Sequence, residues 1–442
     1  MVDVRGCIYE LVYAVMEKGD KSDVCFHRIA AREKMDSVTT AAFKRESYGT
    51  IERIVLLDAM IRRFADRPVR RMDPDVRTLL RMGFYELEFM DAIPYYASCD
   101  SIAGMADTPG KTGYINAVMR GYVREQEEPP LVDPWERLDP NEKYCIPRDL
   151  WAVLSNSYGK KTTVKMAMTF LERSGEVTLH LDPNKTDLDS YMKLLDEQGI
   201  VSKEPGRYLP NNVIINGSPE IDTLPGYDEG LFYVQDEGSQ LPVLVAGIEP
   251  GQSIVDVCGA PGGKSIHALM CLNGTGVVSI RDVNERKLSR IRENISRMRY
   301  VNAEVKMRDG RKTDRSWHEK ADVVLCDVPC SGYGIIGRKP ELRFRSPIDV
   351  NDLVEIQRQI VEASVPMLKP GGVLIYSTCT LNPKENDENA AWIESELGLV
   401  PESLNEFLPD SLINRQTFLG RLQVLPGIQQ MDGFFVARFR KA

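Results

Sequence analysis

Long apolar runs are missing from this 442-residue chain. None approaches the roughly 20 residues that a membrane-spanning helix needs. Histidine is scarce, four residues in all. With no CxxC and no HxxxH, the closest cysteine pair, Cys326 and Cys330, lacks the partners of a zinc site, so no metal is expected. The nine cysteines follow no regular framework, and their odd number points to reduced thiols rather than a secreted disulfide scaffold. The opening MVDVRGCIYE carries acidic residues and leads straight into an apolar periodic segment, unlike a secretory signal. The expectation is a soluble, cytoplasmic monomer with no membrane association.

Excess basic charge is missing as well. A net charge of −9 counts against nucleic acid as a partner, but phosphate contacts need only one basic face. Two stretches are locally basic. One holds Arg62, Arg63, Arg67, Arg70 and Arg71. The other runs from Arg286, Lys287, Arg290 and Arg292 through Arg297 and Arg299 to Lys306, Arg308, Arg311 and Lys312. Taken alone, each run reads as a solvated helix face.

What is present is a globular composition, 43% hydrophobic and 27% charged, in a chain too long for one ordinary core. Residues 1–130 read as an all-α bundle. IYELVYAVMEK, IERIVLLDAMIRRFA, VRTLLRMGFYELEFM and YINAVMRGYVRE each repeat apolar residues three and four apart, giving one buried stripe per helix. Prolines break the acidic stretch that follows, so 131–146 reads as a linker. Residues 147–231 mix helical patterns with the strands EVTLHL and NNVIIN, a small α+β domain. From 232 to 442, apolar runs (SIVDVC, GVVSIRD, ADVVLCD, GGVLIYS) alternate with helical patterns. Such alternation predicts an α/β fold with a parallel, doubly wound sheet. In that fold a ligand lies beyond the C-terminal strand ends, so the residues after each run are the candidates.

The first run is followed by Cys258-Gly259-Ala260-Pro261-Gly262-Gly263-Lys264. A phosphate-binding P-loop needs glycine where Cys258 stands, and a dinucleotide fingerprint needs GxGxxG, which Gly259-Ala260-Pro261-Gly262 does not supply. The second run ends at Asp282, placed to bind ribose hydroxyls, and Asp309 ends VKMRDG. Singly, each aspartate reads as a loop or capping residue; together they describe an adenosyl ligand without a diphosphate. The third run ends in Asp327-Val328-Pro329-Cys330-Ser331-Gly332 and the fourth in Ser377-Thr378-Cys379-Thr380. A lone cysteine in a strand is usually a small core residue. Two of them, each just past a strand end and beside an acid, point to chemistry.

These phrases resemble the signature motifs of the RNA (cytosine-5) methyltransferase family: the cofactor loop at 258–264, the Pro-Cys motif at 327–332 and the Thr-Cys motif at 376–386 (YSTCTLNPKEN). VQDEGSQL at 234–241 is similar to the entry of the family's catalytic domain, and DGFFVARF at 432–439 to its closing strand. LLRMGFYELEFMDAIPYYA and YINAVMR resemble a NusB-like RNA-binding domain. The resemblance covers nearly the whole chain. It implies a Rossmann-like class I methyltransferase sheet after a NusB-like bundle, S-adenosyl-L-methionine as cofactor and one cytosine of 16S rRNA as substrate. In the implied chemistry a thiolate adds to cytosine C6 and makes C5 nucleophilic, while Asp327 stabilises the altered charge at N3 and N4. The resemblance makes Cys379 the nucleophile and leaves Cys330 to assist release. DNA cytosine methyltransferases use the Pro-Cys cysteine instead, so spacing does not decide between the two. It likewise gives the cofactor to the loop 258–264 with Asp282, Asp309 and Asp327; the Arg62–Arg71 cluster, on its local charge, is the candidate RNA contact.

Three departures stand out. Gly259 replaces the family's usual alanine, VTLHLDPNKT stands where an Arg-Val-Asn phrase is frequent, and CDSIAG replaces a more acidic helix start. Rival readings keep the reaction on tRNA or 23S rRNA, or make the chain a non-catalytic ribosome-assembly factor, which predicts a damaged nucleophile or cofactor loop. An amino-methyltransferase would want an aromatic residue where Cys330 stands.

Overall fold

The computed structural model describes residues 2–127, 134–172, 175–217, 219–346 and 350–442. The chain forms two compact units, Met1–Leu171 with Ile336–Arg345, and Glu172–Ile335 with Ser346–Ala442.

The first unit is helical: α1 (Val4–Lys18), α2 (Ser22–Glu33), α3 (Ser37–Phe64), α4 (Pro74–Phe89), α5 (Tyr95–Gly104), α6 (Pro109–Glu127), the one-turn α7 (Pro140–Lys143), α8 (Arg148–Tyr158) and α9 (Lys160–Glu172). The four expected stripes lie in α1, α3, α4 and α6, and their fully buried residues (Ile8, Leu11, Ile51, Leu57, Leu80, Ile115) share one core. Helix α4 starts as its sequence says, with the Asp73 carboxylate accepting from the Asp75 N–H and Pro74 in the first turn. Helix α3 starts well before its apolar stripe because Asp36 caps it by accepting from the Thr39 N–H.

The boundaries depart from the expected ones. The start of the expected linker, 131–133, lies outside the described residues. Its remainder does not act as a spacer, because Trp135, Leu138 and Cys145 pack on the helical core. Helix α8 and nearly all of α9, assigned above to the middle domain, also fall in the first unit. So does the later segment Ile336–Arg345. There the fully buried Arg343 guanidinium donates to the carbonyls of Glu52, Cys145 (3.0 Å), Pro340 (3.1 Å) and Ile336 (3.4 Å).

The second unit carries two sheets. The small one is antiparallel, in the order β2 (Lys203–Pro205), β3 (Asn212–Ile215), β1 (Val177–Leu181), β4 (Phe232–Val234). Helix α10 (Leu188–Glu197) packs Tyr191 and Leu195 with its apolar residues. After α11 (Glu237–Ala246) the larger sheet begins: β5 (Ser253–Asp256), α12 (Gly263–Leu272), β6 (Val277–Asp282), α13 (Glu285–Arg297), β7 (Ala303–Met307), β8 (Ala321–Asp327), α14 (Val350–Ser364), β9 (Leu368–Thr378), α15 (Asp387–Leu397), β10 (Val400–Pro401), α16 (Arg415–Phe418), β11 (Arg421–Val424) and β12 (Phe434–Arg440). Its order is β10-β12-β9-β8-β5-β6-β7, with β11 on β12. Strands β5 to β9 pair in parallel and β12 runs antiparallel to β9. Chain order proceeds one way from β5 to β7 and the other way from β8 to β9. The crevice at such a switch point opens between the C-terminal ends of β5 and β8, which carry the cofactor-loop and Pro-Cys motifs.

Removing the Arg343 guanidinium leaves several buried carbonyls without a donor. Arg343→Met is expected to lower the unfolding free energy by about 3 kcal/mol, measured by denaturant titration. A change below about 0.5 kcal/mol, the range of ordinary surface substitutions, would show that the carbonyls find other donors.

Candidate active site

The loop after β5 folds beneath its neighbours. The Gly259 N–H donates to the Arg281 carbonyl at 2.7 Å, and a Cβ there would sit 2.6 Å from Ile280 Cγ2. Gly262 has φ +114°, a left-handed backbone that only glycine adopts cheaply. Thus both glycines serve the packing of the loop, and at Gly259 the alanine usual in the family would need Ile280 to move. Cys258, Ala260, Pro261 and Gly263 complete the turn into α12, and burial pushes the Cys258 thiol well up. Beneath them Asp256 is fully buried. Ser265 Oγ donates to its Oδ2 at 2.5 Å, its Oδ1 has no hydrogen-bond partner among the described residues, and burial pushes its carboxyl up to about 6.

At the tip of β6, Asp282 is buried, with Oδ1 accepting from the Asn284 N–H (2.9 Å) and Lys287 Nζ 3.9 Å from Oδ2. Asp309, beyond β7, is gripped by Arg311 through side-chain contacts at 3.0 and 2.8 Å and through its backbone N–H, which together hold its carboxyl down to about 2.

The remaining expected residues converge. Lys264, in the first turn of α12, reaches Asp327 at the tip of β8, with Nζ to Oδ2 at 2.7 Å. The other Asp327 oxygen accepts from Ser377 Oγ at 2.9 Å. Burial alone would lower the Lys264 pKa, but the charges of Asp327, Asp256 and Cys379 raise it, so it stays a cation. Nothing in the sequence distinguished Lys264 from the rest of its loop. Cys330 and Cys379, both half-buried, bring their sulfurs to 3.3 Å. The hydrogen bond to Cys379 and burial push the Cys330 thiol well above its usual value. The Thr-Cys turn is braced by Asn386, which accepts from Thr378 Oγ1 (2.6 Å) and donates to the Thr380 carbonyl (3.0 Å).

The arginine cluster is exposed throughout but largely neutralised. Arg62 pairs with Glu142, Arg63 with Glu125 and Arg67 with Asp66. No ion pair joins Arg70 or Arg71 to a described residue. Among the described residues no group of three or more His, Cys, Asp or Glu side chains is placed to hold a metal, and no helix is long and apolar enough to cross a membrane.

Comparison with known proteins accords with this geometry. The 16S rRNA methyltransferase RsmB/F profile matches residues 243–440, and the NusB family profile residues 3–124. The chain is 31% identical to the probable ribosomal RNA small subunit methyltransferase B of Bacillus subtilis, over 99% of this chain and 98% of that protein. A protein of the same name from Synechocystis sp. is 28% identical, with both chains covered in full. Among solved structures, PH0851 superposes with a TM-score of 0.80 at 23% identity, covering 100% of this chain and 99% of that one. NSun6 from Pyrococcus horikoshii with SFG gives 0.58 at 20% identity, covering 67% of this chain and 98% of that one. These structural likenesses carry the methyltransferase fold.

If the contact with Cys379 is what keeps Cys330 protonated, Cys379→Ala lowers the Cys330 pKa and enlarges its thiolate fraction at neutral pH. The pH profile of Cys330 alkylation by iodoacetamide, followed by peptide mass spectrometry, is then expected to move to lower pH. One unit of displacement corresponds to a roughly tenfold faster reaction below the pKa. An unmoved profile would remove the sulfur–sulfur contact as the cause.

Proposed function

The chain belongs to the ribosomal RNA small subunit methyltransferase B family, and from that premise we propose that it transfers a methyl group from S-adenosylmethionine to C5 of one cytosine in 16S rRNA through a covalent cysteine adduct. The observation that carries the reading is the pair of sulfurs 3.3 Å apart beside the Lys264–Asp327 ion pair, at the crevice where β5 and β8 diverge.

The residues at that crevice fit the cofactor. The loop 258–264 brings backbone close, Asp282 offers a carboxylate oxygen towards ribose hydroxyls, and Asp256 Oδ1, which has no hydrogen-bond partner among the described residues, lies beneath the loop. Asp309 would serve the cofactor only with an oxygen shared with Arg311. Bound there, S-adenosylmethionine supplies an electrophilic methyl group. The protein's part is to make C5 nucleophilic. The Cys379 thiolate adds to C6 as N3 takes up a proton from solvent, and the Asp327 carboxylate accepts from N3–H and from the N4 amino group, with Lys264 fixing its orientation. After methyl transfer, Cys330 gives its proton to the departing Cys379 sulfur and its own sulfur takes the C5 proton, which restores the double bond. A base in a stacked helix cannot reach such a crevice, so an unpaired or distorted site is the favoured target.

Incubation with methyl-labelled S-adenosylmethionine and unmodified 16S rRNA is expected to yield labelled 5-methylcytidine, with 23S rRNA and bulk tRNA unlabelled. Label only in tRNA or 23S rRNA keeps the chemistry and overturns the target, and no label in any RNA favours an assembly factor. Cys379→Ala should abolish transfer, whereas Cys330→Ala should accumulate a protein–RNA adduct that survives a denaturing gel.

RNA binding by the helical unit rests on Arg70 and Arg71 more than on their ion-paired neighbours. Arg70→Ala with Arg71→Ala should weaken 16S rRNA binding and flatten its salt dependence, by roughly 0.7–0.9 in the logarithmic slope per lost phosphate contact. An unchanged slope returns the cluster to a solvated surface.

A further inference from the structure

Behind the two cysteines lies a carboxylate that pairs with no cation among the described residues. Glu385, in the turn before α15, is fully buried. Its Oε1 accepts from the Ser331 backbone N–H (2.8 Å) and from Gln357 Nε2 (3.0 Å). Its Oε2 accepts from Ser331 Oγ (2.6 Å) and Thr380 Oγ1 (3.3 Å). Ser331 directly follows Cys330, and Thr380 directly follows Cys379. One side chain therefore grips the next residue after each cysteine, although the cysteines are 49 positions apart in the chain. The same Gln357 amide donates to the Pro329 carbonyl at 2.9 Å, on the other side of Cys330. The two hydroxyls also meet each other at 2.5 Å.

We propose that Glu385 is a positioning residue that sets the separation of the Cys330 and Cys379 sulfurs by clamping Ser331 and Thr380 together. The inference rests on the cysteine-dependent reading above. The Ser331 N–H, the Gln357 amide and the Ser331 hydroxyl donate to the two oxygens, and the Thr380 hydroxyl shares its one proton between Glu385 and Ser331 Oγ, so each loop is fixed by acceptor capacity that a carboxylate has and an amide lacks. Glu385→Gln preserves size but turns an NH2 group towards donors already committed, and one loop must let go. A buried carboxylate without a counter-charge is costly to maintain. Packing alone would be served as well by an apolar side chain of the same size.

The measurement is the rate of covalent adduct formation with 16S rRNA carrying 5-fluorocytidine. After Cys379 adds and the methyl is transferred, no proton remains at C5, so the adduct is trapped. Wild-type protein should form it, and Glu385→Gln should form it about 100-fold more slowly, as expected for an ångström-scale misplacement of reacting groups. Its affinities for S-adenosylmethionine and RNA should stay within about twofold. Ser331→Ala, which keeps the carboxylate, should lose about tenfold. The double variant should be no slower than Glu385→Gln alone, because both act through one contact. Wild-type adduct rates in Glu385→Gln would overturn the proposal, as would an equal loss of cofactor affinity, which marks a general structural role. If Glu385→Gln does not fold, Ser331→Ala decides, and a wild-type rate there overturns the clamp. If wild-type protein forms no adduct, the cysteine chemistry itself fails and the inference with it.

Discussion

Lys264 leaves the first turn of α12 and meets Asp327 at the tip of β8 at 2.7 Å, across the crevice where the sheet changes direction. Two central strands diverge there, and the ion pair ties their loops together. Both charges are largely withdrawn from solvent, so each depends on the other: a buried ion that loses its partner costs several kcal/mol. The pair also sets the chemistry's frame. In the proposed reaction it orients the carboxylate that meets the base and keeps a fixed positive charge near Cys379. Ser377, at the end of β9, holds the other Asp327 oxygen, so the Thr-Cys strand joins the same frame.

A second frame rests on hydrogen bonds rather than on an ion pair. Glu385, Gln357, Asn386 and Asn389 bond one another's neighbours and the turns around the cysteines, with Arg358 donating to Asn389 at the edge. This division has a physical rationale. The ion pair fixes charge near the reacting base, whereas the hydrogen bonds that converge on Glu385 position the turns behind the sulfurs.

Much of the fold was legible because the signals were periodic. The stripes of α1, α3, α4 and α6 and the apolar runs of β5, β6, β8 and β9 stand where the pattern put them. Strands β2 and β4, three residues each, are too short for any period. Domain limits were less legible, because proline content marks where a helix stops and not which core the next residues join. Trp135, Leu138 and Cys145 settled on the helical core, and Ile336–Arg345 returned to it from far along the chain through Arg343. Each cysteine, Asp282 and Asp327 could be named from strand ends alone. The contacts between them could not, since a 3.3 Å approach of Cys330 and Cys379 depends on how two parallel strands are registered. Lys264 and Glu385 lay inside quoted motifs, yet only geometry separates their roles from those of adjacent residues. The arginine cluster shows the converse: charge visible in sequence is partly cancelled by Glu142, Glu125 and Asp66, which no local pattern reveals.

The central claim is that Cys379 carries the base while Cys330 keeps its proton beside it. Its most direct measurement is to trap the adduct with 5-fluorocytidine-containing 16S rRNA, digest the complex and map the modified peptide by mass spectrometry. The account predicts the nucleotide on Cys379, in the peptide that contains Tyr376 to Thr380. A nucleotide on Cys330 would contradict it and exchange the roles of the two sulfurs.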